Sequence, residues 1–534
     1  MSPVGGNTET TRGAQALAAF KLAASIWGAA IDSPVTIEVA ARFGPLACTA
    51  ATGILGAGAP HAWMKNTSGA RPNVLYPVAL ANRLAGTDLD TTAPDIDAVF
   101  NGAAGTTGCL EGSGWYFGLD RNSGNLTDLV TVVVHELGHG LGMTTPIDLD
   151  TGALRDGVPD VFSLFVVDER TGKHWSDMTD SARAESARAF HQLSWGGGNV
   201  TTAAATLLTH GMPTLSLGVP LDTLDPAIAV ATFGPALTAT PALGVLTAVA
   251  DDTASPTDAC GTSASLTGKV AFVEAGGCPD VDKVLSVQAA GAMAAILVSD
   301  QTTFAPLAPT GDDGGKATIP SVRIDQKDAT TIRAALPQAP SARLWANPAR
   351  ALGTSLAGRV YLDAVDPVVP RVSVVHWDPI ISPHLLMQPA IVTTRDLDLT
   401  VPLLEDLGWA AAGAVAGKDG GSGGSGGSTG SGGAGGSSGT GADTDAGLDG
   451  AITDASGGYM PDHLGSTTDG PPPANRFVDS GSHGSIGPGG IVWVPHSKGC
   501  DCRVGARTGA GSPAGVFGVA LALLAFTRRR RAAR

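Results

Sequence analysis

Histidine is scarce in this chain, 11 in 534 residues, so an ordered pair of histidines carries weight. Basic residues are also few: 33 Lys and Arg stand against 49 Asp and Glu, a formal net charge of −16. The only basic run, Arg528 to Arg531, lies at the extreme end. Phosphate neutralisation needs clustered Lys and Arg, so the composition argues against nucleic acid as a partner. No apolar stretch behind a basic end follows Met1, because residues 1–13 are polar and include Glu9 and Arg12. No export signal is legible there. We expect the true start to lie upstream, since the far end of the chain makes sense only outside the cytoplasm. The six cysteines show no zinc-site spacing. They fall into local pairs, Cys48 with Cys109, Cys260 with Cys278 and Cys500 with Cys502, and the first two pairs are expected to be disulfides in an oxidising compartment.

The length exceeds what one core can hold, which implies two or three folded units and a tail. Leu17, Phe20, Ala24, Trp27 and Ile31 recur at helical spacing and imply an amphipathic helix packed on a sheet. Val35 to Phe43 alternates apolar and polar residues, as a half-buried strand does. Residues 53–112 are rich in Gly, Ala, Pro and Asn and read as loops with short strands; Gly114 to Asp120 is a candidate strand to lie along a substrate cleft. Residues 159–195 read as helical, most clearly from Met178 to Phe190.

What is present is Val130-Thr-Val-Val-Val-His135-Glu136-Leu-Gly-His139-Gly-Leu-Gly142. On a helix His135 and His139 share a face, so they can hold one metal with Glu136 beside it. This is the HExxH pattern of zinc peptidases, in which two neutral imidazoles bind Zn²⁺ and the glutamate takes a proton from the attacking water. Thr127 or Asp128 can cap the helix and Gly142 can end it, while the β-branched run makes burial necessary to hold it. A catalytic zinc usually has three protein ligands, so the third decides the class. The compact pattern would place a histidine at 145, where this chain has Thr145. A glutamate from a downstream helix, Glu169 or Glu185, would make the chain a gluzincin.

From about Leu215 to Arg350 the texture changes to short strands and small helices. Lys269 to Glu274, Cys278, the helical Lys283 to Met293, Ala295 to Ser299 and Ile319 to Ile324 together resemble a protease-associated (PA) domain. The segment holds no metal cluster and no nucleophile with a base, which implies a non-catalytic insert that screens or guides substrate. Thr400 to Gly408 reads as a closing helix capped by Thr400 and stopped by Gly408. Residues 411–498, dominated by Gly, Ser, Asp and Pro, read as a disordered linker. Gly499-Cys-Asp-Cys502, an apolar run from Pro513 to Thr527 and the four arginines resemble the MYXO-CTERM type of bacterial surface-sorting tail. That resemblance implies an apolar C-terminal helix in residues 499–534, cleavage near the cysteine, surface attachment or release, and membrane contact through this tail only.

His135, Glu136, His139 and Gly142, then His376-Trp377, Leu386-Met387-Gln-Pro389 and Glu405 to Trp409 are similar to the leishmanolysin family of metzincins. The resemblance implies an α+β zinc peptidase domain in two parts, residues 12–210 and 351–410, with the PA domain of 215–350 inserted between them. It implies His376 as third Zn²⁺ ligand, with His384 as the competing histidine, and Met387, eleven residues on, as the Met-turn residue beneath the metal. Glu136 would be the general base of an endopeptidase acting on proteins or peptides. The separation of 237 positions between His139 and His376, and the insert within it, have no counterpart in the family's basic pattern. The rival reading is a non-catalytic surface protein that keeps a metalloprotease shape.

Overall fold

The computed structural model describes residues 2–301, 306–413, 491–493 and 503–505. The apolar run Pro513 to Thr527, the terminal arginines and most of the expected linker lie outside these residues. Of the linker, Ile491–Trp493 is a strand. Among the described residues no helix is long and apolar enough to cross a membrane.

The first unit is built around the histidine-bearing helix. Helix α1 (Arg12–Gly28) is followed by strand β1 (Ile37–Gly44), edge strand β2 (Gly56–Pro60), helix α2 (Val78–Ala85), strand β3 (Ile96–Asn101) and helix α3 (Leu129–Leu141). The sheet order is Ile491–Trp493, β1, β3, β2, with β2 antiparallel to β3 and the other pairs parallel. All thirteen residues of α3 are buried. That burial explains how a run of five β-branched residues stays helical against its intrinsic preference. Helix α1 packs on α3, where Trp27 Nε1 donates to the Val134 carbonyl at 3.0 Å.

Glycine sets the distance between sheet and helix. A Cβ on Gly58 of β2 would lie 2.1 Å from the Glu136 carbonyl oxygen, and one on Gly140 of α3 would lie 2.3 Å from Ile96. Asp128 caps α3 by accepting from Thr131 N and Oγ1 at 3.2 and 2.6 Å. Its carboxylate also takes a bidentate pair from buried Arg395, at 2.9 and 2.8 Å. Gly142 ends the helix at φ 148°.

Several expectations are corrected here. Residues 53–112 hold the expected short strands, β2 and β3 among them, and in addition helix α2. The expected cleft strand at 114–120 is only Trp115–Tyr116, buried and paired in parallel with Thr127–Asp128. In 159–195 only Asp180–Ser186 is α-helical; the rest includes a hairpin of Val166–Asp168 with Lys173–His174 and the strand Leu193–Trp195. Tertiary pairing there overrode a helical composition. The closing helix spans Thr400–Leu407, but Leu399 occupies the cap position and Thr400 begins the helix, its hydroxyl on Asp398.

The insert is a seven-stranded sheet in the order His210–Leu217, Ser341–Ala351, Ala242–Ala248, Lys269–Val273, Ala294–Val298, Ser321–Ile324, Ile228–Val230. The four strands from Ala242–Ala248 to Ser321–Ile324 are parallel, and helices Asp280–Ala289 and Gln326–Ala335 supply crossovers. Each face of this sheet has its own apolar core, separate from the core around α3. Cys48–Cys109 and Cys260–Cys278 are disulfides.

Candidate metal centre

His135 and His139 sit one turn apart on α3, and the chain returns 237 residues later to bring His376 against them. The three Nε2 atoms form a triangle with sides of 3.1, 3.2 and 3.2 Å. Each Nδ1 meets a main-chain carbonyl: His135 that of Leu386 at 2.7 Å, His139 that of Met143 at 2.8 Å, His376 that of Val372 at 2.8 Å. A carbonyl only accepts, so each Nδ1 carries the proton and each Nε2 presents a lone pair. Burial lowers the pKa of all three, that of His139 to about 4, and keeps the rings neutral.

Three lone pairs thus converge where none of the three residues is exposed. Such an arrangement is repulsive until a cation sits among them. Tetrahedral Zn²⁺ at its usual distance from imidazole nitrogen would separate the nitrogens by about 3.3 Å, within about 0.2 Å of the observed sides. Three neutral imidazoles with their tautomers fixed from behind are the donor set of a zinc site with one open position. The residues fit Zn²⁺.

Met387 packs against α3 beside the three histidines. It is fully buried, and a Cβ on Gly138, between the two histidines of α3, would lie 2.8 Å from its Sδ. The same turn carries the Leu386 carbonyl that holds His135. Asp398 fixes that turn by accepting from Leu386 N at 2.6 Å, and burial raises the Asp398 carboxyl to about 6. The Met387 carbonyl accepts from Trp377 N at 2.9 Å, which ties the turn to the residue after His376. Glu136 is fully buried beside β2, where a Cβ on Gly56 would come within 2.8 Å of its Oε1.

The competing ligands are engaged elsewhere. Thr145 donates to Asp160 at 2.9 Å. Glu169 takes a bidentate pair from Arg359 at 2.9 and 2.6 Å, and Glu185 meets Lys327 at 2.6 Å on the surface. His384 is exposed and outside the triad. Among the described residues, His135, His139 and His376 are the only group of three or more His, Cys, Asp or Glu side chains able to hold a metal. Sequence reasoning missed the three carbonyls and the edge strand. A main-chain acceptor leaves no residue-type signal; the alternating glycines of Gly56-Ala-Gly58 were the one available sign of close backbone approach.

Beside the site, Thr144, Ile147 and Leu149 after α3 and Val368, Ser373 and Val375 before His376 wall a pocket of about 220 Å³.

Residues 241–332 match the family model of the PA domain, within the expected insert. No curated protein matches the chain. Among solved structures it is similar to a zinc aminopeptidase from Bacillus subtilis, at 20% identity and TM-score 0.20 over 27% of this chain and 35% of that one. An aminopeptidase from Aneurinibacillus is similar at 17% identity and TM-score 0.20, over 28% and 42%. A subtilisin-like protease from Pseudoalteromonas is similar at 16% identity and TM-score 0.21, over 26% and 35%. The chain spans about 35% of the length of the first of these, and a likeness of this extent says nothing of how the metal site works.

Proposed function

We propose that the chain is a zinc-dependent endopeptidase of the leishmanolysin-like metzincin type, with the PA domain inserted between the second and third ligands. The observation that carries the reading is the buried convergence of three Nε2 lone pairs with Glu136 on the same helix. A bound Zn²⁺ would polarise a peptide carbonyl and lower the pKa of a water toward neutrality.

The chain's own residues supply the rest. His135, His139 and His376 hold the ion, and the carbonyls of Leu386, Met143 and Val372 keep the rings aimed. Glu136 accepts the proton of the attacking water and returns it to the leaving amine. An extended substrate adds to the outer edge of β2, whose inner edge is paired with β3. An edge strand accepts a chain that runs on in both directions, which favours cleavage within a chain over trimming of its end. Surface attachment or release through residues 499–534 is part of the same proposal and rests on the sequence of that tail.

The test uses a peptide blocked at both termini, with metal content measured on the same protein. Cleavage should depend on zinc, and Glu136→Gln should lose at least nine-tenths of the rate, about a tenfold drop or more, with about one zinc per chain retained. A Glu136→Gln protein that keeps its rate, or a wild type that cleaves only unblocked peptides, contradicts the proposal.

A further inference from the structure

The root of the insert is tied to the loop that carries His376. Asp225, between the insert strands His210–Leu217 and Ile228–Val230, accepts from Arg350 Nη1 and Nη2 at 2.8 and 2.7 Å. Arg350 belongs to the strand by which the insert returns, Ser341–Ala351. Its Nη2 also donates to the Tyr361 hydroxyl at 2.7 Å, and that hydroxyl lies 3.3 Å from Asp225 Oδ2 as donor. Arg350 and Tyr361 are both buried. A bidentate guanidinium–carboxylate pair in such a place has one geometry, and the hydroxyl is locked into it.

The main chain of Tyr361 and the two residues after it holds the third-ligand loop. Asp378 N donates to the Tyr361 carbonyl at 3.1 Å, and Asp363 N donates to the His376 carbonyl at 2.8 Å. Leu362 bridges Trp377. Val374 N donates to the Asp363 carbonyl at 2.6 Å while Val374 itself sits at φ 76°. A β-branched residue keeps that conformation only where its surroundings over-determine it. The Tyr361 ring also lies parallel to His191 at 5.1 Å, and His191 Nε2 is 3.5 Å from Asp378 Oδ2.

We propose that Tyr361, clamped by Asp225 and Arg350 of the insert, is a positioning residue for the third metal ligand, so that the seating of the PA domain sets how tightly the three histidines hold their ion. The inference rests on the metal centre described above. It gives the insert a role in assembling the site, besides any effect on substrate access. Tyr361→Phe removes the hydroxyl from both partners without changing the ring, and Asp225→Asn weakens the clamp at constant volume.

The experiment loads the full chain with Co²⁺ for its visible spectrum and with Zn²⁺ for the rate of release to a chelator. Tyr361→Phe and Asp225→Asn should each release zinc faster, by about three- to tenfold, less than the roughly 10- to 100-fold that direct partners of metal ligands command, and should shift the Co²⁺ bands. Lys327→Ala, which breaks the exposed contact between the insert and Glu185, should leave both readouts as in wild type. Wild-type spectra and release rates in both clamp variants overturn the proposal, whatever happens to their melting temperatures. So does a Lys327→Ala protein that changes as much as they do. Should Tyr361→Phe fail to fold, Asp225→Asn decides alone. A wild type that takes up neither metal refutes the metal centre itself, whereas a normally loading wild type with unchanged variants refutes only this inference.

Discussion

Gly56→Ala separates the placement of Glu136 from the holding of the metal. The added Cβ would lie 2.8 Å from Glu136 Oε1, 3.0 Å from its Cγ and 3.1 Å from its Cδ. Ordinary contact would need a few tenths of an ångström more at each, and a carboxylate on a three-bond stem can move that far. Overpacking of this kind costs roughly 1–3 kcal/mol of stability. A displacement of about half an ångström in a base should slow the reaction about 10- to 100-fold, which is about 1.4–2.7 kcal/mol in the barrier. The histidines are untouched, so zinc should stay near one per chain. Gly58→Ala, two residues on, provides the contrast. There the Cβ would meet the Glu136 carbonyl oxygen at 2.1 Å and its carbon at 2.7 Å, and main chain cannot step aside. That variant should lose more than about 3 kcal/mol and fold poorly. The assay is cleavage of a blocked peptide with metal analysis and a urea melt on the same preparations. A fully active Gly56→Ala with normal zinc would refute the placement of Glu136 against β2.

Burial raises the Asp160 carboxyl from 3.8 to about 6. The native state therefore holds that proton more tightly than the unfolded chain. Its contribution to stability is full below about pH 3.8 and is lost as the pH rises through about 6. Asp160→Asn should gain on wild type between pH 4 and pH 8, by at most ~3 kcal/mol. Urea midpoints at the two pH values check this, and a gap that stays constant or moves the other way refutes it. With an export signal supplied upstream, truncation before Gly499 should send the protein into the medium, as a fractionated culture would show; intact protein found only in the cytoplasm of its native host contradicts the surface reading.

The histidine-bearing helix was legible because its chemistry is local. His135, Glu136 and His139 fall within five residues, and Asp128 and Gly142 mark its ends. His376 and Met387 lie far away in sequence, and only resemblance to a known family pointed to them. The geometry then brings both to the helix, through the Leu386 carbonyl on His135 and Met387 against Gly138. The insert was legible because two of its parallel strands hold short continuous apolar runs, Val270 to Val273 and Ala294 to Val298. The edge strand was not legible. Gly56-Ala-Gly-Ala-Pro60 has almost no side chain, and it is a strand because α3 needs a surface it can approach closely. The 159–195 region was misread for the opposite reason, since its alanines and arginines favour helix locally while Val167 and Ser194 pair across a sheet. Asp225, Arg350 and Tyr361 lie on three separate segments, and nothing local marks them as partners.

The central claim is that His376 completes the metal site, and metal stoichiometry on folded variants tests it most directly. Removing one of three ligands should empty the site, whereas a glutamate already paired with arginine or lysine has no part in it. His376→Ala should hold well under about a tenth of a zinc per chain and lose peptide cleavage, while Glu169→Ala, Glu185→Ala and His384→Ala each keep about one zinc. A His376→Ala protein that retains full zinc while one of the glutamate variants loses it would contradict the account.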